Sequence, residues 1–100
     1  MLPINIYEMV KKLLDMTIQG QLSWDFDYYR DLVSAKLTYF DVNIMYQFDS
    51  ENGVGYFHID YYDKGSNLWH RFSTNHYYDD YSTVKRLYDE AQAKKLNIRF

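Results

Sequence analysis

Apolar positions over the first twenty residues recur at helical spacing. Ile6, Met9, Val10 and Leu13, with Leu14 and Ile18 beside them, form one stripe and predict an amphipathic helix over 6–19. Asn5 stands where an N-cap is wanted, and Glu8 three positions on completes a capping-box-like pair. Ile4 and Met9 occupy the staple positions, while Pro3 offers a slightly earlier start. Gly20 falls where a chain leaving a helix needs positive φ. Residues 21–35 hold Trp24, Phe26, Tyr28, Tyr29, Leu32 and Val33, yet fit neither period. They read as a loop packed over the core, with a helical turn or a short strand near 28–35.

From residue 36 the period drops to two. Phe40, Val42, Ile44, Tyr46 and Phe48 fall on one face and Asp41, Asn43, Met45 and Gln47 on the other, which predicts a half-buried strand over 36–48. Strands over 54–62 and 67–74 follow, separated by Asn52-Gly53 and by Asp63-Lys64-Gly65-Ser66. If both turns have two-residue loops, Phe48 faces Phe57, Tyr46 faces Ile59 and Ile44 faces Tyr61. Phe57 then faces Phe72, Tyr61 faces Leu68, and Ile59 faces His70. The two turns independently point the same residues inward, and a slip of one residue would reverse every face. After a loop over 75–78, Tyr81, Val84, Leu87, Tyr88 and Ala91 mark a second helix over 80–95. Asp79 and Asp80 stand at its start and Lys94 and Lys95 at its end, as the helix dipole prefers. Leu96 to Phe100 form a short apolar tail that docks on the core or frays. The pattern predicts an α+β two-layer sandwich, with a three-stranded antiparallel meander (four strands if 28–35 adds one) and both terminal helices on one face.

One hundred residues, 47% of them hydrophobic, suit a single domain over 1–100. No internal repeat stands out. Cysteine is absent, which excludes disulfides, a thiol nucleophile and cysteine-bound metal. No apolar run is long enough to span a membrane, and the N-terminus lacks a signal-peptide pattern, so a cytoplasmic protein without membrane contact is expected. The net charge is −3, and residues 25–78 carry eight acids against four bases. Nucleic-acid affinity comes mainly from neutralising phosphates, so this acidic middle argues against direct DNA or RNA binding. The unusual quantity is the aromatic content, 20% with twelve tyrosines.

The same register defines an outer sheet face. It displays Asn43, Met45 and Gln47, then Tyr56, His58, Asp60 and Tyr62, then Asn67, Trp69, Arg71 and Ser73. Two-residue turns place Asp60 opposite Met45 and Trp69, and His58 opposite Gln47 and Arg71. A patch rich in Tyr, Trp, Arg and Met has the composition of interface cores, which marks Tyr56, His58, Asp60, Tyr62, Trp69 and Arg71 as candidate partner-binding residues. The partner is another protein or a second copy of this chain. The plainer alternative is a mixed solvent-facing sheet surface where aromatics simply favour strands. In the doublet Tyr61-Tyr62 one ring points in and one out. Tyr77-Tyr78 either seals the second helix or presents rings to a partner.

Catalytic signals are sparse. His58 and Asp60 on one face suit a general base with an acidic orienter, and with Arg71 they define the alternative of a small hydrolytic or metal-dependent enzyme. His58 and His70 point to opposite faces, which argues against a metal pair and makes His70 a hydrogen-bonded core residue. No P-loop, dinucleotide-binding glycine pattern, HExxH or GxSxG occurs, and no cofactor is implied. A third alternative is nucleic-acid mimicry by Asp25, Asp27, Asp31, Asp63, Asp79 and Asp80.

Gly20-Gln21-Leu22-Ser23-Trp24, Tyr39-Phe40-Asp41-Val42-Asn43-Ile44 and Leu87-Tyr88-Asp89-Glu90-Ala91 together make the chain resemble small α+β proteins of Gram-positive bacteria, their phages and mobile elements. The resemblance covers most of the chain. It implies no catalytic residues and favours a non-catalytic accessory or inhibitor role.

Overall fold

The computed structural model describes Met1–Phe100. In chain order it contains α1 (Ile4–Ile18), β1 (Asp25–Asp27), β2 (Leu32–Lys36), β3 (Phe40–Asp49), β4 (Val54–Asp63), β5 (Leu68–Asn75) and α2 (Asp80–Ala93). The fold is α+β. Its single open sheet has five antiparallel strands in the order β1-β2-β3-β4-β5, more than the three or four expected. The additional pair comes from residues 21–35, where the aperiodic segment folds as a short hairpin.

Three of the hairpins share one turn chemistry, which explains both the missed strands and the register. Each closing pair spans four loop residues: Asp27↔Leu32, Asp49↔Val54 and Asp63↔Leu68. Each begins with an aspartate whose carboxylate accepts the N–H two residues on: Tyr29 at 3.1 Å, Glu51 at 3.0 Å and Gly65 at 2.9 Å. Each ends on a left-handed residue: Asp31 (φ 51°), Gly53 (φ 65°) and Asn67 (φ 58°). The aspartate cap widens the loop, so Asn52-Gly53 forms its third and fourth positions and not a two-residue turn. Every row across β3, β4 and β5 is therefore displaced by two residues from the expected one. Phe48 faces Gly55, Tyr46 faces Phe57 and Ile59 faces Phe72. A displacement of two preserves the faces.

α1 starts at Ile4 with Pro3 as its N-cap, earlier than the predicted residue 6. Proline has its φ preset and no N–H to leave unpaired. Asn5 therefore lies inside the helix, where its side chain accepts the Ile6 N–H at 3.0 Å, and exposed Ile4 makes no staple. The other end follows expectation. Gly20 takes φ 75°, its N–H reaches the Thr17 carbonyl at 3.1 Å, and the Gln21 N–H reaches that of Met16 at 2.8 Å.

Both helices contribute to one core on one face of the sheet. Ile6, Val10 and Leu13 from α1, and Val84, Leu87 and Ala91 from α2, pack with Val33, Val42, Ile44, Phe57 and Ile59 from the strands. Trp24, buried just before β1, donates its indole N–H to the Thr17 hydroxyl at 2.9 Å, and Thr17 donates to the Leu13 carbonyl at 2.6 Å. Burying an indole contributes on the order of 5 kcal/mol of hydrophobic stabilisation, and the relay removes the polar cost. The helices run side by side in the same direction, with the Tyr7 and Thr83 hydroxyls 3.3 Å apart near their starts and the Lys94 ammonium 3.4 Å from the Ile18 carbonyl at their ends.

The first turn of α2 holds a buried carboxylate, Asp80, which accepts the Leu2 N–H at 2.7 Å and the Thr74 hydroxyl. Tyr88 ties the other side of α2 to the β1–β2 turn, its hydroxyl donating to the Asp31 carbonyl at 2.8 Å. Burial pushes the Tyr88 phenol up to about 12, so it stays a donor across the neutral range. His70 departs from expectation. It points to the helix side of the sheet beside Tyr61 but is exposed, on an open groove that Asn5, Ile6 and Met9 of α1 also line. The tail residues Leu96, Ile98 and Phe100 are also exposed, so the tail does not dock on the core.

Asp80→Ala strands two buried donors and is expected to lower stability by about 2–4 kcal/mol in urea unfolding. A loss below about 0.5 kcal/mol would mean that water replaces the carboxylate. Gly53→Ala is expected to cost about 1 kcal/mol, and Gly53→Asn less, because only glycine and asparagine accept the left-handed position readily. Equal losses for the two substitutions in the same assay would remove the backbone explanation.

Candidate outer-face interaction site

With both helices on one face, the other face of the sheet stays open to solvent. All six candidate residues, Tyr56, His58, Asp60, Tyr62, Trp69 and Arg71, lie on it in four cross-strand rows. Gln47, Tyr56 and Asn75 form one row and Met45, His58 and Ser73 the next. Asn43, Asp60 and Arg71 form the third, and Asp41, Tyr62 and Trp69 the fourth. The expected rows paired Asp60 with Trp69 and His58 with Arg71. The longer loops move each β5 residue by two, so Asp60 meets Arg71 and His58 meets Ser73.

These rows satisfy each other's polar groups. Arg71 holds Asp60 in a two-pronged pair, Nε to Oδ1 at 2.7 Å and Nη2 to Oδ2 at 3.0 Å. That pairing raises the guanidinium pKa. Such a surface pair adds only about 0.2–1 kcal/mol of stability, but its two bonds fix the arginine's orientation. The Tyr62 hydroxyl donates to Asn67 Oδ1 at 2.8 Å, and the Tyr62 ring packs on Trp69 with centroids 4.9 Å apart. Trp69 remains 56% exposed. The Tyr56 ring lies parallel to His58 at 6.2 Å.

His58 sits at the centre, half-buried. Its Nε2 is 2.7 Å from Gln47 Oε1 and its Nδ1 is 2.6 Å from the Ser73 hydroxyl. An amide oxygen only accepts, so Nε2 carries the proton and neutral Nδ1 accepts from Ser73. Burial lowers the His58 pKa, Arg71 lowers it further, and Asp60 opposes the shift. The imidazole is therefore neutral at pH 7. Ser73, His58 and Gln47 are arranged as a hydroxyl, a base and an orienting group. The sequence reading missed this relay because it placed Arg71 opposite His58. The aspartate-to-left-handed-residue spacing at 27–31, 49–53 and 63–67 is the signal that would have found it.

The surroundings of the relay are open. A shallow hollow of about 490 Å³ beside it is lined by residues that include Gln47, Asp49, Glu51, Tyr56 and His58. Strand N–H groups lie in the plane of the sheet, so none points out of the face at an oxyanion above Ser73. No three His, Asp or Glu side chains come together as metal ligands. The acids proposed as phosphate mimics do not form one surface. Asp80 is buried, Asp63 caps the β4–β5 turn, and Asp25 and Asp27 lie in β1 at the other side of the sheet. Tyr77 and Tyr78 are exposed and line a shallow cleft of about 620 Å³ with Met1, Ile4 and Tyr7.

Comparison with known protein families, curated proteins and solved structures gives no match. No helix is long and apolar enough to cross a membrane.

The lowered His58 pKa fixes the sign of a pH effect. The unfolded chain takes up the His58 proton more readily than the native one, so this contribution to stability is present above the unfolded value near 6.5. It declines as pH falls from there toward the folded pKa. Ring-proton NMR is expected to give His58 a pKa below 6.5, and His58→Gln is expected to flatten the stability profile in that window. A measured value above 6.5 would overturn the neutral-relay assignment.

Proposed function

We propose that this chain is a non-catalytic protein-interaction module whose outer sheet face is the binding surface. The observation that carries the reading is that this face is uncovered while its polar groups are already paired with one another. Tyr56, Tyr62 and Trp69 therefore stand on a locked polar framework, and immobilising them on binding costs little side-chain entropy. Aromatic and arginine anchors are the residue types that dominate interface energetics. A small module of this kind suits an accessory or inhibitor role acting on another protein, the role expected from the sequence motifs.

A second reading, hydrolysis, is favoured by one observation, the Ser73–His58–Gln47 relay. The flat surface and the absence of an oxyanion donor weigh against it.

Two assays separate these readings. In affinity capture from bacterial lysate, Tyr56→Ala and Tyr62→Ala together are expected to lose the proteins held by the wild type, while Lys85→Ala on α2 keeps them. Retention by the Tyr56/Tyr62 variant would exclude the outer face. In p-nitrophenyl acetate hydrolysis, wild type and Ser73→Ala are expected to match the buffer rate. Activity lost only in Ser73→Ala would favour the hydrolase.

A further inference from the structure

The two edges of the sheet are guarded very differently. β1 is three residues long and presents Asp25 and Asp27, so it is short and charged, as protected edges are. β5 is eight residues long and pairs with β4 without a bulge. It contains no proline and no lysine, and Leu68, Trp69, His70 and Arg71 are all exposed. An edge of this kind is a template for another strand.

We infer that β5 pairs with β5 of a second copy of this chain, antiparallel across a two-fold axis at His70, to make one continuous ten-stranded sheet. The occupant is argued from the strand's own sequence. A two-fold axis perpendicular to the sheet keeps each residue on its face. Centred on His70, it sets Trp69 opposite Arg71 of the second copy twice on the outer face, and Leu68 opposite Phe72 twice on the helix side. The Asp60 clamp engages the edge of the Arg71 guanidinium and leaves its planar face for the indole. Centring the axis on Arg71 would instead oppose two guanidinium groups, and centring it on Trp69 would set Leu68 against His70. Only the His70 centre gives two apolar pairs on the helix side, flanking the two central imidazoles, and aromatic–cation partners on the other face. The five-residue overlap is small, so the association is a weak, concentration-dependent equilibrium of the transient class. It engages the sheet edge with Trp69 and Arg71 and leaves the Tyr56–His58 region free, and so it goes beyond the outer-face reading.

The chain has no native cysteine, so single cysteines report the pairing directly. Residues opposed across an antiparallel pair have Cα atoms about 4.5–5.5 Å apart, within disulfide reach. His70→Cys, at an exposed position, is expected to form a disulfide-linked dimer under mild oxidation. Ser73→Cys, about 20 Å from its own copy in this register, is expected to remain monomeric. Adding Trp69→Ala to His70→Cys is expected to slow crosslinking about tenfold, since two aromatic–cation contacts are lost. Crosslinking of Ser73→Cys as fast as His70→Cys would overturn the register. Absence of a His70→Cys dimer in protein whose circular dichroism matches the wild type would overturn the pairing. Either result leaves the outer-face reading to the separate Tyr56/Tyr62 experiment.

Discussion

Burying a carboxyl group is costly unless its oxygens find partners, and Asp80 finds them in two distant parts of the chain. The Leu2 N–H comes from the N-terminal segment and the Thr74 hydroxyl from the end of β5. One side chain thus fixes where α1 begins, where β5 ends and where α2 starts. It also sets the two helices side by side in the same direction, since both depart from this point. The far ends are closed more loosely, by Lys94 over the Ile18 carbonyl and by Lys95 beside Asp25 at 3.6 Å. Between these ends the core is apolar, and its polar atoms are relayed inward through Thr17 and Trp24.

Placing both helices on one face determines the character of the other. The outer face has no layer to bury it, so its strands carry polar and aromatic residues in alternation with the core residues. What distinguishes it from a generic wet surface is mutual pairing. Arg71 with Asp60, His58 with both Gln47 and Ser73, and Tyr62 with Asn67 leave few loose polar groups. The same pairing that makes the face rigid also makes it chemically quiet. Both ring nitrogens of His58 are engaged, and the guanidinium is neutralised by its own neighbour.

The face assignments were legible in the sequence because they depend only on parity. Alternation over 40–48 and 56–62 decides which side chains meet the helices, and an even displacement leaves that decision intact. The rows were not legible, because they depend on loop length. Asn52-Gly53 carries a strong two-residue signal, and the Asp49 carboxylate overrides it by capping the loop from its first position. The same chemistry hid β1 and β2. Their hairpin is short, its left-handed residue is Asp31 and not glycine, and Tyr28 and Tyr29 in the loop look like strand residues. His70 marks a different limit. Parity correctly sent it to the helix side, but whether a helix covers it is a property of tertiary packing.

The two edges differ although the same turn geometry closes the hairpin at each. At the β1 side the hairpin has only three rows, and its outermost strand carries Asp25 and Asp27. At the β5 side the capped loop opens onto a full-length strand whose outer-face residues are anchored inward, Trp69 on Tyr62 and Arg71 on Asp60. Those anchors hold the side chains in place without covering the strand's outward backbone groups. An edge that is long, straight and preorganised loses little entropy when it acquires a neighbour. The sheet is therefore closed to growth on one side and open on the other, which allows a pair of copies and forbids an extended array.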